Sequence, residues 1–306
     1  MKAVQWTVFI DMLGFKKLNT VVTTDQQAQD LLEFMISNRD VLTGHEQALA
    51  EGYRKTGGHN PYDWYDVKST CISDSVVVTF KPKEMEEETD ADQVLTHSAN
   101  ALMLLIFRLC MLMHKCLLEQ KITFRGGIST QFCDIRDSFA VGAGLSAASE
   151  TEGKAKFARI ALADDVVQNE ALMGRVRQLF SRMYGDSEFL VAENGITWVN
   201  SLDLMLAGQD LRSPAVSRAM FHPATRPSVL ATRMQCAQYL KAQQIFVVES
   251  IREYWAAYRE HYEDNDLKRV NRGILRKYFW LRHYHNETVK NRRLVAFFIG
   301  SQRSLR

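Results

Sequence analysis

The stretch that decides the fold is Val4-Gln5-Trp6-Thr7-Val8-Phe9-Ile10-Asp11-Met12-Leu13-Gly14-Phe15, residues 4–15. Its β-branched and aromatic residues alternate from Val4 to Ile10, which predicts a first strand that ends at Asp11. Met12-Leu13-Gly14-Phe15 predicts a turn in which Gly14 lets the backbone approach a ligand closely. The exposed N–H groups of such a turn favour an anion. A buried strand that ends in a carboxylate next to these N–H groups is the first candidate site.

The pattern outward from this strand predicts a mostly antiparallel sheet with helices on one face. A helix starts at Thr24, where Thr24-Asp25-Gln26-Gln27 has the form of a capping box. The remaining predicted elements are a hairpin over Asp66–Phe80 with its turn at Ser73-Asp74-Ser75, a long helix over Asp92–Gln120, a strand over Ile122–Ser129, a strand or turn leading into a helix over Phe139–Glu152, and a short strand over Phe157–Leu162. This order is the ferredoxin-like split βαβ pattern, so we predict an α+β fold.

The second part of the chain is expected to be a mostly helical extension. We place the first domain at residues 1–180 and the extension at 181–306. Two short strands are predicted within Phe189–Trp198, and an irregular linker is predicted over Ser213–Pro227. Ala231–Glu263 and Leu267–Arg282 are predicted to be helices.

Composition excludes several classes of protein. The formal net charge of +2 over 306 residues argues against a general nucleic-acid coat. The five cysteines include no CxxC pair, so neither a disulfide framework nor a zinc site is expected, and a reducing compartment fits best. The most apolar stretch, Ala101–Met113, is interrupted by Arg108 and is too short to cross a bilayer. We therefore expect a cytoplasmic protein with no membrane or nucleic-acid partner.

Two aspartates are the candidate metal ligands. In a split βαβ sheet the first strand lies in the centre, beside the hairpin, so Asp11 and Asp74 meet at one sheet edge. Carboxylate oxygens, completed by phosphate and water, suit Mg²⁺ or Mn²⁺. The alternative is structural, because aspartate is common in turns for its local hydrogen bonds. The backbone N–H groups of Leu13, Gly14 and Phe15 are the candidate phosphate donors.

Four motifs, in order, resemble those of class III nucleotide cyclases. Phe9–Phe15 is similar to their first metal motif, and Ile72-Ser73-Asp74-Ser75 is similar to the second, with Ser73 in place of the usual glycine. The other two are Phe124-Arg125-Gly126-Gly127-Ile128, which resembles the strand after the long helix, and Val141–Ala148, whose pattern continues through Glu152 and Ala158-Arg159-Ile160. The resemblance implies a cyclase core with two metal ions per site, held by Asp11, Asp74 and the carbonyl of Met12.

The chain departs from the purine cyclases at the positions that read the base. Thr70 stands where the resemblance places a base-selecting lysine, and Phe139 where it places a purine-reading aspartate. Ser146 stands for the ribose-orienting asparagine and Glu150 for the arginine that stabilises the transition state. Candidate replacement cations are Arg54, Lys68, Arg125 and Arg159. Tyr53 is the aromatic residue that we consider a candidate for stacking on the base.

This set resembles the Pycsar pyrimidine cyclases of bacterial antiphage defence. The resemblance implies a homodimer, with sites at the interface, that makes cyclic UMP or cyclic CMP from UTP or CTP. The product would then act on a separate effector protein. Two alternatives stay open. The first is a purine nucleotide cyclase with altered base contacts, and the second is a catalytically inactive domain that binds nucleotide and regulates a partner.

Overall fold

The structure is a computed structural model that describes residues 3–43, 60–84, 90–185, 188–223 and 226–300. Its strands are β1 (Trp6–Leu13), β2 (Tyr65–Ile72), β3 (Ser75–Pro82), β4 (Thr123–Ser129), β5 (Asp134–Arg136), β6 (Phe139–Val141), β7 (Ile160–Leu162), β8 (Leu190–Glu193) and β9 (Ile196–Val199). Its helices are α1 (Phe15–Thr20), α2 (Asp25–Thr43), α3 (Ala91–Gln120), α4 (Ala143–Ala155), α5 (Asp164–Val167), α6 (Glu170–Tyr184), α7 (Ser201–Ala207), α8 (Pro214–Phe221), α9 (Arg226–Glu260) and α10 (Asn265–Asn291).

The first of two compact units, Met1–Cys116 with Ile122–Asn200, contains the predicted ferredoxin-like core. Its large sheet has the strand order β2-β3-β1-β4-β7-β9-β8. β1 lies between β3 and β4 and is antiparallel to both, while β4 and β7 are parallel. The α+β prediction is therefore confirmed, and the central position expected for the first strand is the one observed.

One face of this sheet is covered by long helices. Trp6, Val8 and Ile10 alternate along β1 and are fully buried. The indole Nε1 of Trp6 donates to the carbonyl of Ser98 on α3 at 3.1 Å. Helix α3 is long and apolar enough to cross a membrane by length and composition alone, but 61% of its most apolar window is buried within the protein. Helix α3 thus forms part of the core of this unit, as the sequence predicts.

The opposite face carries the alternate residues of the same strands, among them Phe9 and Asp11. The two-stranded sheet of β5 and β6 packs here, since Cys133 and Ile135 cluster with Val77. Helix α4 also packs on this face, because a Cβ added at Gly127 would meet Thr151 Cβ at 2.8 Å and the backbone nitrogen of Glu152 at 2.9 Å. Glycine at position 127 therefore allows α4 to lie directly on β4.

Several predicted elements need correction. The first strand runs on to Leu13, so Asp11 lies within β1 and not at its end, and only Gly14 remains as the turn before α1. The linker expected over Ser213–Pro227 is wrong, since Pro214–Phe221 is helix α8 with proline in its first turn. Helix α6 was not predicted from the sequence, and its buried side chains are Leu172, Met173, Val176 and Phe180. Strands β8 and β9, predicted near Asn194-Gly195, belong to the large sheet and lie beyond residue 180.

The second unit, Leu117–Lys121 with Ser201–Arg306, is helical. Its core is formed mainly by α9 and α10, with buried Leu240, Val247, Leu281 and Val289. The fully buried His285 lies between the side-chain oxygen of Gln243 at 2.7 Å and the carbonyl of Phe297 at 2.8 Å. Helices thus make up most of the described part of this unit, in agreement with the predicted extension.

Candidate active site

The structure brings the backbones of Asp11 and Asp74 side by side. Asp11 pairs with Ser75 in the antiparallel register of β1 and β3. Asp74 is the residue before Ser75, and its carbonyl accepts a hydrogen bond from the Met12 N–H at 3.0 Å. Both aspartates are partly exposed, so each carboxylate is accessible to a ligand. The two backbones are therefore adjacent, and the convergence of the two carboxylates stays a prediction.

The hairpin turn that carries Asp74 is tight and strained. It has two residues, Ser73 and Asp74, between the ends of β2 and β3. Ser73 has φ of 58°, in the left-handed region that favours glycine. Ser73 stands where the resemblance places glycine, which adopts this conformation without steric cost. The conformation of Ser73 is the local cost of placing Asp74 next to β1.

The carboxylate of Asp11 lies in a row of alternating charges. Arg125 is opposite Asp11 in the register of β1 and β4, and its Nη2 lies 3.2 Å from Asp11 Oδ2. The Nε of the same guanidinium is paired with Glu152 Oε1 on α4. The side chains of Asp11 and Arg125 are 21% and 22% exposed, whereas that of Glu152 is only 9% exposed. Sequence reasoning treated Glu152 only as a member of a motif and missed its contact with Arg125.

The expected phosphate donors follow Asp11 directly. Leu13 ends β1, Gly14 has φ of 99° and Phe15 begins α1. The carbonyl of Gly14 accepts from Lys17 N at 3.0 Å, which closes the first turn of the helix. The N–H groups at the start of a helix have no acceptor within the helix. The side chain of Phe15 is buried, so only its backbone is available for a ligand.

The predicted base-contacting residues have different environments. Thr70 is 5% exposed and lies on the same face of the sheet as Asp11, since Thr70 and Phe9 both pair with Val77. Phe139, in contrast, is 74% exposed on β6. Ser146 and Glu150 are exposed and, four residues apart on α4, share one side of that helix. Phe139, Ser146 and Glu150 are thus open to solvent in a single chain.

The candidate replacement cations have different surroundings. Arg54 and Tyr53 lie outside the described residues. Arg159 is 3% exposed and pairs with Glu193 at 2.9 Å, and its burial lowers the pKa of its guanidinium. Lys68 Nζ donates to the carbonyl of Ile135 at 3.3 Å. Of the three candidates in the described part of the chain, Arg125 is the one in contact with Asp11.

The residues present fit a hard divalent cation better than zinc. Across the described ranges there is no group of three or more His, Cys, Asp or Glu side chains that could hold a metal. Two carboxylates would therefore need backbone, water or substrate oxygens to complete the shell, which is the pattern of Mg²⁺ and Mn²⁺. The side chain of Met12 is buried, so Met12 can contribute only its backbone carbonyl.

The chain was compared with protein families, with curated proteins and with solved structures. No family model matches the chain, and no curated protein matches it. Among solved structures, the guanylyl cyclase domain of the RhoGC fusion protein from Blastocladiella emersonii is 14% identical, with a TM-score of 0.32 over 65% of this chain and 96% of that one. The guanylyl cyclase Cya2 is 11% identical, with a TM-score of 0.30 over 65% of this chain and 93% of that one.

A third match is the catalytic core of a rhodopsin-guanylyl cyclase with converted specificity, in complex with ATPαS. It is 15% identical, with a TM-score of 0.29 over 65% of this chain and 96% of that one. At such TM-scores these likenesses carry no argument about fold or activity.

Proposed function

We propose that the protein is a metal-dependent nucleotide cyclase that converts UTP or CTP into the 3′,5′-cyclic nucleotide and pyrophosphate. The observation that carries the proposal is the hydrogen bond from Met12 N–H to the carbonyl of Asp74, because it joins the backbones next to Asp11 and at Asp74, the two proposed metal ligands. Next to them begins a helix whose first N–H groups are suited to phosphate. A carboxylate pair beside a phosphate cradle is what phosphoryl transfer needs.

In the proposed reaction the 3′-hydroxyl oxygen attacks the α-phosphorus in line. The new P–O bond forms as the bond to pyrophosphate breaks, and the hydroxyl proton is released. Mg²⁺ or Mn²⁺, two ions per site, would supply activation of the hydroxyl and neutralisation of the leaving group. Asp11 and Asp74 would hold these ions, and the carbonyl of Met12 would be a further ligand. The N–H groups of Leu13, Gly14 and Phe15 hold the phosphates.

The choice of a pyrimidine rests on the residues that would face the base. Thr70, on the sheet face of Asp11, is a small neutral side chain where a purine cyclase would place lysine. Phe139 cannot accept the hydrogen bonds that an aspartate would accept from a purine. Neither position therefore offers the charged pair that reads a purine.

The proposed assembly is a homodimer with its sites at the interface. The exposure of Phe139, Ser146 and Glu150 supports this, because these residues are open to a second copy. Light scattering on the purified protein measures the mass directly, and a monomer at the concentrations that give activity would contradict the proposal.

We also propose that the cyclic product acts on a separate effector in antiphage defence, in the cytoplasm. The test of this role is whether strains carrying Asp11→Asn lose protection against phage.

The direct test of activity is incubation with each of the four NTPs and Mn²⁺, followed by mass analysis of the products. Cyclic UMP or cyclic CMP is expected from wild type. Asp11→Asn and Asp74→Asn are expected to abolish the product and to keep the thermal unfolding midpoint. Asp66→Asn is the matched control, because Asp66 is an exposed aspartate in the same hairpin that pairs with Lys83 at 3.6 Å. This variant should retain activity.

Other outcomes separate the alternatives. Cyclic AMP or cyclic GMP as the main product would favour a purine cyclase. Tight NTP binding without turnover would establish a regulatory domain, a possibility that Glu150 keeps open. No cyclic nucleotide from any of the four substrates would overturn the proposed activity.

A further inference from the structure

The row of Asp11, Arg125 and Glu152 contains one cation between two carboxylates. Arg125 Nη2 donates a hydrogen bond to Asp11, and its Nε forms an ion pair with Glu152, so one guanidinium is shared between a strand residue and a helix residue. Glu152 is held on the sheet by the close approach of α4 to β4 at Gly127. Only Glu152 of the three residues is buried, whereas Asp11 and Arg125 are partly exposed.

Its two halves differ in strength. Glu152 is less exposed than Asp11, at 9% against 21% for the side chains, so its attraction to Arg125 acts through a lower effective dielectric. The contact with Asp11 is closer to solvent and therefore weaker. A divalent cation arriving at Asp11 would compete with the guanidinium for the same carboxylate. Arg125 would give up Asp11 before it gave up Glu152.

We propose that Arg125 neutralises Asp11 until a divalent cation displaces it, and that Glu152 retains Arg125 when this happens. Arg125 and Glu152 are then positioning residues that set the metal affinity of the site without binding the metal. The proposal rests on the proposed function in one respect, which is that Asp11 is a metal ligand. It adds a residue pair that controls that ligand.

The test measures Mn²⁺ binding to the full chain without nucleotide, by electron paramagnetic resonance of free Mn²⁺. Glu152→Gln removes the competing partner and one negative charge, so Arg125 should hold Asp11 more firmly and the Kd for Mn²⁺ should rise about 5- to 10-fold. Combining Arg125→Gln with Glu152→Gln also removes the guanidinium that competes with Mn²⁺ for Asp11. This double variant should bind Mn²⁺ about 3-fold more tightly than wild type.

The double variant separates the proposal from a purely structural role. If the ion pair had only a structural role, the neutral pair of the double variant would at best restore the wild-type affinity for Mn²⁺. Displacement of Arg125 by the cation predicts tighter Mn²⁺ binding than wild type. If Glu152→Gln alone fails to fold, the double variant still decides the question. Glu193→Gln is the matched control, because it neutralises the partner of Arg159, a buried arginine that directly precedes β7. It should leave the Kd unchanged.

Failure of this proposal and failure of the proposed function give different results. If wild type binds no Mn²⁺, or if Asp11→Asn binds it equally well, the metal assignment of Asp11 fails and this proposal fails with it. If Asp11→Asn loses binding but the double variant binds no more tightly than wild type, only the role of Arg125 and Glu152 is overturned. The same holds if Glu152→Gln leaves the Kd unchanged.

Discussion

The N–H of Met12 donates to the carbonyl of Asp74 at 3.0 Å, which joins the central strand to the hairpin turn beside it. This bond continues the β1–β3 ladder past Asp11 and Ser75 into the turn itself. Each aspartate is thereby fixed to the other through the backbone, and not through its side chain. Changes in the turn should therefore affect the site even when both carboxylates are kept.

The strain at Ser73 predicts opposite effects of two substitutions. Ser73→Gly should raise the free energy of unfolding by about 0.5–1 kcal/mol, because glycine adopts positive φ without steric cost. Ser73→Val should lower it by about 1–2 kcal/mol, since a β-branched residue is disfavoured there. Urea unfolding monitored by circular dichroism measures both. Equal stability of the two variants would contradict a strained turn.

Two glycines near α4 predict opposite outcomes for the same substitution. Gly127→Ala places a Cβ against the carbonyl of Ala148 and near Thr151 and Glu152, so α4 must shift. We expect a loss of about 1–3 kcal/mol in unfolding free energy, together with loss of any activity that needs Glu152 in place. Gly153 lies in α4, and a Cβ added there would meet nothing within 4 Å. Gly153→Ala should therefore stabilise the protein by about 0.5–1 kcal/mol. Thermal unfolding of both variants is the measurement, and similar shifts for the two would contradict the close packing.

The buried guanidinium of Arg108 predicts a large stability effect. Arg108 is 4% exposed on α3, and its Nη1 donates to the carbonyl of Leu42, near the end of α2, at 2.8 Å. Its Nη2 donates a hydrogen bond to the hydroxyl oxygen of Tyr62. Arg108→Met leaves these acceptors without their donor and should cost about 2–4 kcal/mol. The exposed Arg177→Met is the control and should change stability by less than about 0.5 kcal/mol in urea unfolding.

Acid should destabilise the second unit through Asp210. The guanidiniums of Arg212 and Arg292 hold the pKa of Asp210 well below its usual range. The folded state then binds fewer protons than the unfolded state. The contribution of this group is complete above its ordinary pKa of about 4 and is lost as the pH falls towards the folded value.

Asp210→Asn should therefore be less stable than wild type at pH 7 and should lose less stability between about pH 4 and pH 2. Urea midpoints at pH 7, 4 and 2.5 test this. Exposed Glu263→Gln is the control and should follow wild type. A parallel pH profile for wild type and Asp210→Asn would contradict the assignment.

Local pattern was sufficient for the elements of the first unit whose residues repeat clearly. The alternation in β1, the hairpin around Ser73-Asp74 and the apolar period of α3 each predicted the observed element. The signal for α6 was also present, since Leu172, Val176 and Phe180 recur at helical spacing after the N-cap Asn169, but it was not used. Helix α8 was missed because the prolines and serines of Ser213–Pro227 also suit a linker.

The sequence by itself predicted that β1 and the hairpin form and that each carries an aspartate, with the candidate phosphate donors following Asp11 only. Only the tertiary structure decided the register, which sets Asp11 opposite Arg125 and next to the turn at Asp74. It also decided that Glu152, on a helix distant in sequence, reaches Arg125. Local propensity acts between neighbouring residues, whereas the contacts of a charged side chain depend on which strands pair and how closely a helix packs on them.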